Sequence, residues 1–318
     1  MNETAICLGP TGSLVGVYTE PTGAREDNAP AVLLLNAGIT HRSGPFRIHV
    51  EVARRLASRG YACLRLDLAG IGDSAGRGND VSEQEGTLAD VRLAMDFLQS
   101  QIGTKRFVLF GLCSGADDSH QIALRDSRAA GIVALDAFAY PSVLRLSVRQ
   151  FGRLAGHPHH VYQKARAKLR SSRICRSILG PPQDGPVAET KREERFQAFQ
   201  RDFPPQDQVA AEIETLLDRG VQSLYIYSGG YKWYNYTRQF FDDFPNVRHN
   251  PRVEVEYFRD ADHTYLLLAD RERLIDRIET WLVSRFPRRS ASEFQPAVTA
   301  AGPAGSCQPA IAAAHPAP

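Results

Sequence analysis

No stretch of this 318-residue chain is apolar for long enough to cross a bilayer, so a membrane span is not expected. The N-terminus, Met-Asn-Glu-Thr-Ala, has no basic segment leading into an apolar one, and no secretory leader is expected. Cysteine is scarce. Cys7, Cys63, Cys113, Cys175 and Cys307 form no CxxC pair and have no neighbouring histidine, which argues against a disulfide framework and against a zinc site. A formal net charge of +2 gives no overall case for nucleic-acid binding. No internal repeat is apparent. Together these absences lead to the expectation of a cytoplasmic protein with reduced thiols.

At 43% hydrophobic, the chain can bury one substantial core, and one domain carrying an insertion is the natural organisation. Its organising stretch runs from Lys105 to Gly115. An apolar run, Phe107 to Phe110, has the form of a buried parallel strand. Gly111-Leu112-Cys113-Ser114-Gly115-Ala116 follows, and then a helix-like segment to Arg125. Glycines two before and two after Cys113 suit a sharp strand-to-helix turn, where a strained central residue is exposed and bulky flanks do not fit. Ser114 is the rival nucleophile, but its own flanks would be Leu112 and Ala116, and leucine fits such a turn poorly.

This stretch resembles the nucleophile elbow of the α/β-hydrolase superfamily, within its serine-aminopeptidase-like group. Cysteine replaces the usual serine, as it does in dienelactone hydrolases and some thioesterases. The resemblance covers about residues 5 to 287 and implies a mostly parallel, eight-stranded α/β sheet flanked by helices, with a helical cap inserted after the sixth strand. Short runs at Ala5–Leu8 and Leu14–Tyr18, joined by Gly-Pro-Thr-Gly, read as an antiparallel edge hairpin. Buried strands are expected at 31–35, 61–68, 131–135, 221–227 and 253–258, alternating with helices at 46–59, 80–101, 209–219 and 271–286. The core is thus expected over 1–140 and 208–287, with the cap at 141–207. The Ala/Pro-rich 288–318 is expected to be a disordered tail.

The resemblance also distributes roles. After the second buried strand, Asn36-Ala37-Gly38-Ile39-Thr40-His41-Arg42 occupies the place of the oxyanion loop, so Gly38 or Ile39 would supply one backbone N–H and Ser114 the other. Asp67-Leu-Ala-Gly-Ile-Gly-Asp-Ser74 is similar to a D-x-x-G-x-G-x-S loop in which the aspartate ties down the turn. His263, in Asp-Ala-Asp-His-Thr, stands where these enzymes place their general base. Most members carry the acid after the penultimate strand, yet Tyr225-Ile-Tyr-Ser-Gly-Gly has no carboxylate. Some lipases and dehalogenases place it one strand earlier, which points to Asp136, with Asp260 and Asp262 as alternatives. Asp117 and Asp118 are expected to face solvent or to sit at the helix N-terminus. His41 and Arg42 flank the oxyanion loop and either contact an anionic substrate group or anchor the loop.

The expected function is that of a cofactor-independent enzyme acting on a carboxylic ester or thioester through an acyl-Cys113 intermediate. Either hydrolysis or transfer to an amine or alcohol would complete the reaction. Amides are the harder substrates, because a thiolate leaves the tetrahedral intermediate more easily than an amine. A non-catalytic binding module of the same fold is the alternative. Between 141 and 207 basic residues outnumber acidic ones about two to one, so the small-molecule acyl partners expected include an acyl-CoA or a carrier-bound acyl group. Histidines 157, 159 and 160 show no ligand partner at metal spacing.

Overall fold

The computed structural model describes residues 1–9, 11–23, 29–77, 81–140, 201 and 203–287. Residues 1–287 form one unit and 288–318 another. The expected cap, its histidine cluster and the expected disordered tail lie wholly or almost wholly outside the described residues.

Eight strands form a single sheet in the order β1-β2-β4-β3-β5-β6-β7-β8. The hairpin of β1 (Glu3–Leu8) and β2 (Leu14–Thr19) is antiparallel and pairs onto β4 (Cys63–Leu66). From there the sheet is parallel through β3 (Ala31–Leu34), β5 (Phe107–Leu112), β6 (Ala129–Leu135), β7 (Gln222–Ser228) and β8 (Val253–Phe258). Strands β3, β4 and β5 are buried at every residue, which is why they read as continuous apolar runs rather than alternating ones.

Alternation reappears in where the side chains go. Phe107 and Leu109 pack on one face of the sheet with α2 (Glu83–Ile102), α3 (Ser114–Arg125) and α4 (Gln206–Asp218). Val108, Phe110 and Leu112 pack on the other with α1 (Ile48–Ser58) and α6 (Leu268–Arg285). Period-two strands feed both cores, each buried aliphatic side chain contributing about 1.5–3 kcal/mol. Ser82 caps α2, accepting from the Glu85 N–H, and Gly103 ends it in the left-handed region, where a side chain would be strained. Strand β4 is shorter than the expected 61–68, because Tyr61 and Leu68 continue as buried coil. A short helix, α5 (Gln239–Asp243), follows the aromatic stretch after β7 and was not expected.

This topology places the ends of β3, β5, β6, β7 and β8 along the carboxyl edge of the sheet, where open α/β sheets bind ligands. No helix among the described residues is long and apolar enough to cross a membrane.

Candidate active site

Cys113 is the residue between β5 and α3, with φ 59° and ψ −121°. That region is unfavourable for a side chain and marks a strained position that the surrounding structure must enforce. Gly111 and Gly115 enforce it. A methyl on Gly111 would overlap the Gly115 carbonyl, and one on Gly115 would overlap the Asn36 carbonyl. The Cys113 N–H is held by the Leu135 carbonyl of β6 at 2.9 Å. Its thiol is partly accessible and lies within hydrogen-bond reach of His263.

His263 follows β8. Its Nδ1 lies 2.6 Å from Asp136 Oδ2, so its other nitrogen is the one available to the thiol. Asp136 immediately follows β6, is completely buried, and holds φ 50°. Its Oδ1 accepts from the Ser228 N–H at 2.7 Å and its Oδ2 from the Ser228 hydroxyl at 2.7 Å. Ser228 is the last residue of β7, at the penultimate-strand position where no carboxylate was found. A serine there donates to an acid on the neighbouring strand, and that partner was not anticipated from sequence. Asp262 is turned away: its carboxylate accepts from Thr264 N–H, Thr264 Oγ1 and Leu266 N–H.

Charge is redistributed along this line. Burial pushes the Cys113 thiol up, but the hydrogen bond to His263, the Arg201 charge and the imidazolium together hold it below the usual thiol range. Burial lowers His263, and the hydrogen bonds to Asp136 and Cys113 more than reverse this, raising it to about 10. Both shifts favour transfer of the thiol proton to the imidazole, with Asp136 behind the ring.

On the oxyanion side, the Gly38 N–H donates to the Ser114 hydroxyl at 2.9 Å, with Gly38 at φ 56°. The Ile39 N–H has no hydrogen-bond acceptor among the described residues. The Ser114 N–H points to the Cys113 sulfur. Of the two loop donors expected, Ile39 is therefore the one left open beside Ser114.

His41 and Arg42 are engaged with the loop itself. Arg42 pairs with the buried Asp67 and, at 2.7 Å, with Asp73, while its N–H donates to Asp67 Oδ1 at 2.6 Å. His41 lies 3.4 Å from Asp73 and 3.1 Å from Ser43 Oγ. Asp67 also accepts from Asn36 Nδ2 and the Asp73 N–H, so it ties the β3 and β4 loops together. This is the anchoring arrangement for Arg42. His41, Asp67 and Asp73 approach one another closely enough to suggest a cation site, but the Arg42 guanidinium already provides the positive charge there.

Two site residues carried no sequence signal. Arg201, within the basic 141–207 stretch, pairs with both carboxylate oxygens of Asp117 and donates to the Asp136 carbonyl at 2.8 Å and to Cys113 Sγ at 3.8 Å. Asp117 is thus not a solvent-facing residue, because the guanidinium covers it in the first turn of α3. Tyr231 stacks on the His263 ring with centroids 5.9 Å apart.

Residues 27–202, more than half of the chain, match the family model described as serine aminopeptidase, S33. No curated protein matches the sequence. Among solved structures, an esterase from Pyrococcus furiosus is similar at TM-score 0.54 and 16% identity, covering 90% of this chain and 92% of its own. A putative alpha/beta hydrolase from Agrobacterium tumefaciens is similar at TM-score 0.52 and 16% identity, covering 89% and 96%. An alpha/beta hydrolase from Penicillium sp. sh18 is similar at TM-score 0.52 and 15% identity, covering 90% and 98%. These likenesses show the α/β-hydrolase fold.

Proposed function

This chain belongs to the serine aminopeptidase, S33, family, and from that membership we propose that it is an ester- or thioester-cleaving enzyme working through an acyl-Cys113 intermediate. The observation that carries the proposal is the strained elbow cysteine in line with His263 and a buried Asp136. A strained residue at φ 59° that carries a partly accessible thiol, beside a histidine raised to about 10, combines the features that a nucleophile needs.

In the proposed reaction the Cys113 thiolate attacks the acyl carbonyl, and the carbonyl electron pair moves onto its oxygen. The Ser114 and Ile39 N–H groups stabilise that oxyanion. His263, already an imidazolium, gives its Nε2 proton to the leaving alkoxide or thiolate as the carbonyl re-forms, which leaves acyl-Cys113 and a neutral imidazole. The same imidazole then takes a proton from water, an amine or an alcohol as it attacks the thioester, and Cys113 leaves as thiolate. Asp136, held by two donors from Ser228, fixes the ring and stabilises its charge. The thioester intermediate is relatively open to amines, so acyl transfer competes with hydrolysis. Peptide amides are disfavoured in spite of the family's name.

The partners proposed are small acyl substrates, among them acyl-CoA or carrier-bound acyl groups drawn by the basic 141–207 stretch. For these, kcat/KM should fall steeply from low to moderate salt, and a small neutral ester should show little change. The decisive experiment is intact-mass detection of an adduct on Cys113 after exposure to a panel of acyl thioesters and activated esters. No adduct from any member, with Cys113 still reactive to an alkylator, would leave the binding-module reading in its place.

A further inference from the structure

Arg201 reaches three parts of the site at once. Its Nε lies 2.7 Å from Asp117 Oδ2 and its Nη2 meets Oδ1, forming a fork on one carboxylate. Its Nη1 points elsewhere, to the Asp136 carbonyl at 2.8 Å and to Cys113 Sγ at 3.8 Å. The guanidinium also lies over the Phe203 ring, 4.8 Å from its centroid, and its side chain is only 15% exposed. A buried cation needs a partner, and a bidentate carboxylate supplies one while fixing the guanidinium plane. Ion pairing alone would be satisfied by Asp117. The remaining nitrogen is held by the Asp136 carbonyl, and there it also comes within 3.8 Å of the sulfur.

We propose that Arg201, aimed by Asp117, is a catalytic residue that holds Cys113 as thiolate independently of His263. The inference rests on Cys113 being the nucleophile. In a simple Cys–His pair the thiolate exists because the imidazole has taken its proton, so the two charges disappear together. A guanidinium does not deprotonate in proteins, and its hold on the sulfur persists at any working pH. It also favours cysteine over serine at this position. A neutral hydroxyl gains little from an adjacent cation, whereas a thiolate gains a full charge interaction.

The charged groups around the sulfur set the size of the effect. Arg201, His263 from beyond β8 and Tyr231 from beyond β7 act on it directly, Asp117 and Asp118 on α3 act on the Arg201 guanidinium, and Asp136 lies behind the His263 ring. Asp117 neutralises part of the Arg201 charge, so the shift expected on removing the arginine is about one pH unit, at the lower end of what an adjacent opposite charge produces.

The test is the pH dependence of iodoacetamide labelling from pH 4 to 10, resolved by peptide mass spectrometry, with the exposed Cys7 as reference thiol. Arg201→Gln should raise the Cys113 inflection by about one unit, and Arg201→Lys, which keeps the charge without the fork, should fall between it and wild type. In His263→Ala the inflection should stay below that of Cys7, and adding Arg201→Gln should lift it above. An unshifted Arg201→Gln, or a His263→Ala already as high as the double variant, overturns the assignment. Should Arg201→Gln fail to fold, a His263→Ala inflection at or above that of Cys7 does the same. The measurement needs no acyl substrate. Failure of wild type to form acyl adducts would therefore remove the proposed activity and leave only the Arg201–thiolate pairing standing, while an acylating enzyme with an unshifted Arg201→Gln would do the reverse.

Discussion

Asp136 and His263 lie 127 residues apart in sequence, yet a carboxylate oxygen of one sits 2.6 Å from Nδ1 of the other. The aspartate is fully buried and the histidine side chain 35% exposed, so the pair joins the protein interior to the mouth of the site. Two further donors, both from Ser228, satisfy that carboxylate in a place where an unpartnered polar group would be costly.

Asp136→Asn should lower kcat/KM on the order of tenfold to a thousandfold without unfolding the protein, less than the roughly 10⁴ lost by a serine–histidine pair. The pH profile should change as well. The alkaline limb of wild type should report loss of the His263 proton near pH 10, and against the lowering effect of burial the hydrogen bond to Asp136 is the largest influence that raises it. In the variant this limb should move towards neutral pH. An alkaline limb that stays in place would mean that another group holds the ring.

Cys113→Ala should reduce acylation to background. Ser114→Ala should stay within about tenfold of wild type, since it removes only the hydroxyl that accepts from Gly38 and keeps the backbone donor. Loss with Ser114→Ala and retention with Cys113→Ala, followed by intact mass, would reverse the assignment.

Gly111→Ala and Gly115→Ala each place a methyl on backbone atoms, the Gly115 carbonyl and the Asn36 carbonyl respectively. Backbone cannot swing aside as a flexible side chain can. Each variant should lose about 3 kcal/mol or more, seen as a lower denaturation midpoint or as insoluble expression. Stability equal to wild type would show that the elbow is looser than these contacts imply.

His49 lies on α1 with its ring wholly buried, edge-on to Phe110 with centroids 5.3 Å apart. Burial and the nearby Arg65 charge lower it from 6.5 to about 4. Between those values the unfolded chain binds a proton that the folded one refuses. Stability is therefore complete above about pH 6.5 and falls as the pH drops towards 4, by about 3 kcal/mol. His49→Leu should remove that part of the acid sensitivity. Urea midpoints at pH 7.5 and 4.5 decide it: equal acid losses in both proteins would assign the sensitivity elsewhere.

The sequence alone determined the fold and the positions of three side chains along it. Apolar runs of strand length, separated by helical periods, dictate a parallel sheet. The spacing Gly111-x-Cys113-x-Gly115 marks a turn that only small flanking residues permit. The missing carboxylate after β7 was legible as an absence, and it directed attention to Asp136. What filled that absence was not legible, because a serine at the end of a strand has no signature until the neighbouring strand's register brings Asp136 beside it. Arg42 was ambiguous in sequence for a similar reason. Only the approach of the β3 and β4 loops shows its guanidinium committed to Asp67 and Asp73. Arg201 left no trace at all. It stands 88 residues beyond Cys113 in a stretch rich in other arginines, and nothing in the local sequence distinguishes it from them before its contacts with Asp117 and the sulfur are seen. Local patterns encode elements and strained turns through backbone sterics. Pairings between distant charged side chains are set by tertiary packing, and that packing decided how this site is charged.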